Sequence, residues 1–273
     1  MHKESFIRST VAEDIGRGDL FSFFGETKNV TAYILSKSNG VFAGREYVEV
    51  FSELYPVDIK WNIDDGEEFT SGKKLLFIKG DNKTILALER SILNIVLHAS
   101  SIATLTSKYA KTLDGSGVKL LDTRKTRPML RIFEKYAVRC GGGINHRMGL
   151  DDALMLKDTH LATIDDLPNY IKQARKNIPF TTAIEIECES IEMAQKAMEL
   201  GADIVMCDNM SIEQMKKVAG FRNAKYPHVL LEASGNIALD TIKEVASSGV
   251  DAISSGSIIH QANWIDLSMK IES

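Results

Sequence analysis

VKLLDTRKTRPMLRIFEKYAVRCGGGINHRMGLDDALMLKDTH, residues Val118–His160, decides how this chain is read. It opens on a short apolar run, Val118–Leu121, which predicts a strand. A helix follows near Pro128–Ala137, and DALMLKD (Asp152–Asp158) predicts the next strand. The rhythm then repeats. Helices near Ile164–Lys176, Ile191–Leu200, Ile212–Ala219 and Leu239–Ser248 alternate with AIEIECES, DIVMCDN, HVLLEASGN and DAISSGS. Six strand candidates alternating with helices predict a parallel sheet with right-handed crossovers. An open doubly wound sheet and a closed barrel both fit. Two features favour a barrel. No strand leads into GxGxxG. Polar residues end almost every strand (Arg124, Lys157, Glu187, Asp208, Glu232, Ser254), and a barrel builds its site from strand ends around one rim. The segment is short for eight strands, so a reduced barrel is expected.

The part before this differs. Thr31–Leu35 and Lys74–Lys79 read as strands, with turns at Asn39-Gly40, Asp65-Gly66 and Gly80-Asp81. Thr84 to about Leu113 reads as one long helix, its apolar positions recurring at three and four residues. Strands followed by a helix indicate an α+β domain. The expected organisation is an N-terminal domain over 1–109 and a barrel domain over 110–273. A C-terminal helical segment is expected to return toward the first domain.

The 273 residues, 44% hydrophobic, are enough for a substantial core. No run approaches the roughly 18 apolar residues of a membrane span, and the N-terminus lacks an apolar signal core. Cys140, Cys188 and Cys207 form no CxxC pair, so reduced thiols in a cytoplasmic protein are expected, with Cys188 and Cys207 as small core residues.

Between Arg124 and Arg147 there are seven Lys/Arg and one acid, Glu134, in a chain of net charge −4. That contrast argues against a nucleic-acid surface and for a pocket taking a small polyanion. Arg131, Lys135 and Arg139, at i, i+4, i+8, fit one solvated helix face. Arg124 and Lys125 fit a strand end. His146-Arg147 follow the triple glycine Gly141–Gly143, read as loose backbone beside a ligand. Glu185, Glu187 and Glu189 share one strand face, where inward carboxylates need cations, a metal or ligand hydroxyls. Asp208 is free to face the same site if Asn209 or Ser211 caps the next helix. Glu187 and Asp208 could hold Mg²⁺ through waters or bond a ribose diol. Ser234-Gly235-Asn236 and Ser254–Ser257 are small residues at the last strand ends, suited to a phosphate. His2, His98 and His228 show no metal spacing; His160 and His260 are left open.

These stretches resemble the quinolinate phosphoribosyltransferase family. The resemblance rests on LDTRKTRPMLRIFEKYAVRCGGGINHRMGLDDALMLKDTH, with EDIGRGDL, LERSILNIVLHASSIATLT, IEIECES, DIVMCDNM, LEASGNI and GVDAISSGSIIHQA in support. It covers nearly the whole chain. It implies an N-terminal α/β sandwich domain and a reduced, seven-stranded α/β barrel. It implies a homodimer or homohexamer with a shared active site. It implies Mg²⁺ and the joining of quinolinate to phosphoribosyl pyrophosphate with loss of CO₂, a step of NAD biosynthesis. By motif position, Arg124, His146, Arg147 and Lys157 grip the two quinolinate carboxylates, and Arg90 comes from the partner subunit. Lys125, Glu187 and Asp208 surround phosphoribosyl pyrophosphate and its metal. Ser234, Gly235, Asn236, Ser255 and Gly256 cradle the 5′-phosphate. The chain departs from the commoner family wording at Asn236, Thr159 and Ser255. A paralogue using another acid, or a non-catalytic phosphosugar-binding regulator, are the competing readings.

Overall fold

The structure is a computed structural model describing residues 3–272; His2 lies outside the described residues. Along the chain the elements run α1 (Lys3–Ile15), α2 (Leu20–Phe24), β1 (Asn29–Ser36), β2 (Gly40–Val41), α3 (Arg45–Leu54), β3 (Val57–Trp61), β4 (Glu68–Phe69), β5 (Lys74–Asp81) and α4 (Asn82–Thr112). There follow β6 (Lys119–Leu121), α5 (Arg131–Cys140), β7 (Leu154–Leu156), α6 (Asp158–Leu161), α7 (Leu167–Asn177), β8 (Ile184–Cys188) and α8 (Ile191–Glu199). The chain closes with β9 (Ile204–Asp208), α9 (Ile212–Lys225), β10 (Leu230–Ser234), α10 (Ile242–Ala246), β11 (Ala252–Ser254), α11 (Ser257–His260) and β12 (Leu267–Ile271). Two compact units result: Met1–Ser107 with Arg127–Gly142 and Gln261–Ser273, and Lys108–Thr126 with Gly143–His260.

The first unit is built on an antiparallel sheet of order β12-β1-β5-β3. Ala32, Ile34, Leu75, Leu76 and Ile78 are buried in it. Gly80, expected in a turn, continues β5 opposite Val57. A side chain there would crowd Pro56 O at 3.0 Å, so the glycine permits close strand approach. α3 buries Tyr47, Val48, Val50 and Phe51. Helix α4 is long and apolar enough by composition to cross a membrane, yet 67% of its apolar 18-residue stretch is buried inside the fold, which makes it a core helix.

Two expectations about domain limits are corrected here. The C-terminal segment is a strand, not a helix: β12 pairs antiparallel with β1, Ala32 opposite Ile271 and Ser36 opposite Leu267. LSMKI alternates with period two, and Leu267 and Met269 are buried. Helix α5 belongs with the first unit although it follows β6 in sequence. Its Phe133 meets Tyr47 edge-on at 4.8 Å and stacks on Phe6 at 5.3 Å, aromatic contacts that recruit the helix.

The same helix corrects the reading of one solvated cationic face. Arg139 is exposed, but Lys135 is fully buried. The triple glycine is not loose either. A Cβ at Gly141 would lie 2.5 Å from Ala103 O and 2.6 Å from Thr106 Cβ, so this glycine exists for close packing against α4.

The second unit is the reduced barrel. Six parallel strands run β6-β11-β10-β9-β8-β7, and a parallel bridge between Leu121 and Ile144 adds a further segment beside β6. All five residues of β8 are buried, as a strand covered on both faces requires. Cys188 and Cys207 face each other in register on β8 and β9. Burial pushes both thiols up to about 12, as core residues rather than nucleophiles. Ser211 caps α9, accepting from the Gln214 N–H while the Gln214 side chain accepts from the Ser211 N–H. Asp208 is thereby released from capping duty.

Candidate active site

A cavity of about 460 Å³ opens at the C-terminal ends of the barrel strands, within the roughly 300–1,000 Å³ typical of small-molecule sites. Arg124, Lys125, His146, Arg147, Lys157, Glu187, Asp208, Ser234, Gly235 and Asn236 all line it, with Asp122, Glu232 and Ser254. Residues from seven segments thus converge, as polar strand ends predicted.

One wall is cationic. Arg124 follows β6, and its Nε and Nη1 are buried without a hydrogen-bond partner among the described residues. A buried guanidinium with unmet donors is costly unless an anion completes it. Arg147 donates from Nη1 to Ala153 O at 3.1 Å. Burial, then the nearby Arg124 charge, draw its pKa below the usual arginine value. Two mutually repelling guanidiniums face one cavity.

Asp122, which sequence reasoning passed over, holds this wall in place. It is fully buried. Its Oδ1 accepts the His146 N–H at 2.9 Å and its Oδ2 accepts from Asn145 Nδ2 at 2.6 Å. The end of β6 is thereby tied to the segment carrying His146 and Arg147.

Beneath lies a second missed feature. His146 Nε2 sits 3.2 Å from Glu232 and 3.4 Å from Glu185. Burial would push the imidazole down, but the two carboxylates outweigh it and push it up to about 10. A 2.7 Å hydrogen bond from the Arg147 N–H to Nδ1 opposes that, because an accepting Nδ1 cannot carry a proton. The hydrogen bond decides the local arrangement: the ring proton sits on Nε2, directed between the carboxylates. Both Glu185 oxygens lack a well-directed hydrogen bond, so its contact with His146 is electrostatic, and burial pushes its carboxyl upward. Both ring nitrogens of His146 are engaged within the protein. It lines the cavity as an oriented floor; a ligand carboxylate must displace Glu185 or Glu232 to take the Nε2 proton.

The opposite side is acidic. Glu187 and Glu232 stand level across Met206 in register. Lys157 Nζ donates to Glu187 Oε2 at 2.7 Å, so this lysine is shared between the cation wall and the acids. Asp208 ends β9 opposite Ser234, and its Oδ2 accepts from Asn209 Nδ2 at 2.8 Å. Glu189 departs from its expected place: it lies beyond β8 and is exposed. Glu187 and Asp208 each have one oxygen engaged by these bonds and both line the cavity, hard donors that fit Mg²⁺ through waters and ligand phosphates.

The last strand ends match in part. Ser255 is corrected: its N–H donates to Leu121 O at 3.0 Å and its Oγ to Ile237 O at 3.2 Å, so neither donor is left for a phosphate. Ser254 takes its place in the cavity, with a buried and unpartnered Oγ among the described residues. Gly256 is flanked by Lys125 Cδ and the His260 ring, 3.1 and 3.3 Å from where a Cβ would stand. His260, left open from sequence, thus belongs beside Lys125. His160 instead caps α6, accepting the Lys157 N–H at 3.1 Å. Arg90 is exposed on α4 in the first unit, whereas the cavity lining comes from the second.

Comparison with known proteins agrees. Residues 19–100 match the family description "Quinolinate phosphoribosyl transferase, N-terminal domain" and residues 102–270 its "C-terminal domain" counterpart. The chain is similar to a "Probable nicotinate-nucleotide pyrophosphorylase [carboxylating]" of Methanothermobacter thermautotrophicus, 38% identical over 97% of each chain. A relative of the same name from Synechocystis is 36% identical over 98% of this chain and 92% of its own. The structure of the nicotinate-nucleotide pyrophosphorylase from Francisella tularensis superposes with a TM-score of 0.90 at 34% identity, covering 99% of this chain and 96% of that one.

Proposed function

Because the chain belongs to the quinolinate phosphoribosyltransferase family, we propose that its cavity joins quinolinate to phosphoribosyl pyrophosphate. The products are nicotinate mononucleotide, pyrophosphate and CO₂. The observation that carries this reading is the pair of buried, unpartnered guanidinium nitrogens of Arg124, Nε and Nη1, beside Arg147. A vicinal dicarboxylate supplies the two charges that this wall lacks.

Arg124, Arg147 and one N–H of Lys157 bind the carboxylates, with His146 beneath them. That grip orients the pyridine nitrogen toward the ribosyl carbon, where its lone pair replaces the bond to pyrophosphate. Glu187 and Asp208 carry the negative charge that steadies positive character on the ribose as that bond loosens. Lys125 and His260 meet the phosphate end, and Ser234, Gly235 and Ser254 frame it. Once the ring nitrogen is quaternary, the adjacent carboxylate leaves as CO₂, its bonding pair stays on the ring carbon, and a proton replaces it. Glu187 and Asp208 would hold Mg²⁺, which supplies charge neutralisation for the departing pyrophosphate when bound.

Self-association belongs to the same proposal. Leu20, Phe21, Phe23 and Phe24 stand exposed together on α2, an apolar patch of the kind that marks an interface. A second copy covering it, with Arg90 reaching the partner's cavity, is the arrangement proposed.

The test is an assay with quinolinate, phosphoribosyl pyrophosphate and Mg²⁺ following nicotinate mononucleotide and CO₂ together. Equal yields, abolished by EDTA, are expected. Turnover of nicotinate in preference to quinolinate would refute the dicarboxylate grip. For the shared site, Arg90→Ala mixed with Arg147→Ala should regain activity that neither has alone; mixtures that exchange subunits yet stay inactive would refute it.

A further inference from the structure

Two residues at neighbouring strand ends hold backbone conformations that few side chains adopt. Asn209 has φ 52° and Asn236 has φ 47°, both in the left-handed region. Glycine would occupy either position with less strain, so the amides need a reason to be there. Their contacts supply it. Asn236 Nδ2 donates to Asn209 Oδ1 at 3.1 Å, and Asn209 Nδ2 donates to Asp208 Oδ2 at 2.8 Å. The Asn209 N–H also donates to Ser234 O at 3.0 Å, locking the loop after β9 to the end of β10.

This chain of amides has a single workable polarity. Turning the Asn209 amide over would set its NH₂ against that of Asn236 and its carbonyl against a carboxylate. The carboxylate, which only accepts, sets that polarity; Asn236 braces the Asn209 carbonyl, and Asn209 in turn holds the Asp208 carboxylate. Gly235 is part of the device. A Cβ there would collide with Asn209 Oδ1 and stand 2.5 Å from its Cγ and 2.8 Å from its backbone nitrogen. Ser-Gly-Asn at 234–236 thus serves more than a bound phosphate: it makes room for one amide and supplies the next.

We infer that Asn209 and Asn236 are positioning residues that act in series to hold the Asp208 carboxylate at its working angle, Oδ2 pinned and Oδ1 toward the cavity. The inference rests on the proposed reading of Asp208 as a group facing phosphoribosyl pyrophosphate. Its signature is kinetic. Loss of the relay weakens handling of phosphoribosyl pyrophosphate and leaves the quinolinate grip on the far wall intact.

The test uses full-length Asn209→Gly, Asn236→Gly, the double variant, and Asp208→Ala as reference. Glycine keeps the left-handed backbone and deletes only the amide. For Asn209→Gly, kcat/KM for phosphoribosyl pyrophosphate should fall about 10- to 100-fold, the usual effect of losing a supporting partner. KM for quinolinate should stay within about twofold, and Tm should equal or exceed that of the unsubstituted chain. Asn236→Gly should lose less, and the double variant should match Asn209→Gly, because Asn236 acts through Asn209. Effects that multiply, or an Asn209→Gly chain with unaltered kinetics, would overturn the relay. A second readout is independent of turnover. The Asn209 side-chain amide ¹H–¹⁵N resonance should move in both Asn236→Gly and Asp208→Ala. If it moves in neither, the relay fails even where activity is present. If it moves in both while the unsubstituted chain turns over neither acid, the relay stands and the functional reading fails.

Discussion

Arg124 stands close enough to Arg147 that its charge lowers the Arg147 pKa, which burial has already lowered. Such a pair is poised for a dianion and is uncomfortable without one. Arg124→Ala should therefore separate function from stability. We expect kcat/KM for quinolinate to fall about 100-fold or more, as when one member of a buried charge pair worth roughly 2–5 kcal/mol is removed. Tm should hold or rise, since two buried donors without a partner are gone. Parallel kinetics and thermal melts check this; a Tm drop that accounts for the lost activity would assign Arg124 to the scaffold.

Asp122 joins the end of β6 to Asn145 and His146 through two hydrogen bonds to a buried carboxylate. Asp122→Asn would set an NH₂ group against one of those two donors. A stability loss of about 3 kcal/mol is expected from the broken charge-assisted bonds. Urea unfolding measures it, and a loss below about 1 kcal/mol would mean the segment is held elsewhere.

Glu134 governs acid stability in the first unit. It is fully buried. It accepts from Arg127 Nη1 at 2.6 Å and from the Arg127 N–H at 2.9 Å, with His98 Nε2 at 2.9 Å. Burial alone would raise its pKa, but His98 and Arg127 outweigh it and hold it below the ordinary 4.5. A carboxyl depressed in the folded state stabilises fully above its unfolded pKa, and that share is lost as pH falls through the folded value. Glu134→Gln should thus cost about 1–3 kcal/mol at pH 7, the lower range because Arg127 is partly exposed and regains water. The gap to the unsubstituted chain should close below pH 4.5. Chemical denaturation across pH 3–7, on the order of the carboxylate range, reads both limbs; a gap constant with pH would rule this out.

Gly141→Ala probes close packing alone, because this glycine is absent from the positive-φ positions. The added methyl meets Ala103 O at 2.5 Å. Overpacking of this kind costs roughly 1–3 kcal/mol. A variant as stable as the starting chain would show that α4 and the end of α5 can part without penalty.

The strand–helix rhythm after Val118 was legible because each strand is apolar and each helix bears one apolar stripe. AIEIECES and DIVMCDN fall where β8 and β9 stand. The rim of the site was legible for the same reason, since strand ends carry its chemistry. α1 escaped because it buries only Ile7 and Val11, too thin a stripe to read. β12 escaped because its partner lies at the other end of the chain, and no local pattern records that. Glu232 was seen as a polar strand end, yet its pairing with His146 depends on barrel closure. Lys135 was misread because i, i+4 spacing states which residues share a face, not whether that face meets water. Ser255 was misread because a backbone N–H already spent in a ladder looks the same in sequence as a free one.

The pairing of β12 with β1 has a consequence for biogenesis. During synthesis β1, β3 and β5 emerge well before β12, so the sheet of the first unit lacks its outer strand until Leu267–Ile271 has left the ribosome. Until then β1 presents the apolar segment NVTAYILS as an open edge, able to pair with other chains. Chains in which β12 has not yet emerged, or has been lost, are therefore those that will need a chaperone, and the pairing with β12 seals the seam.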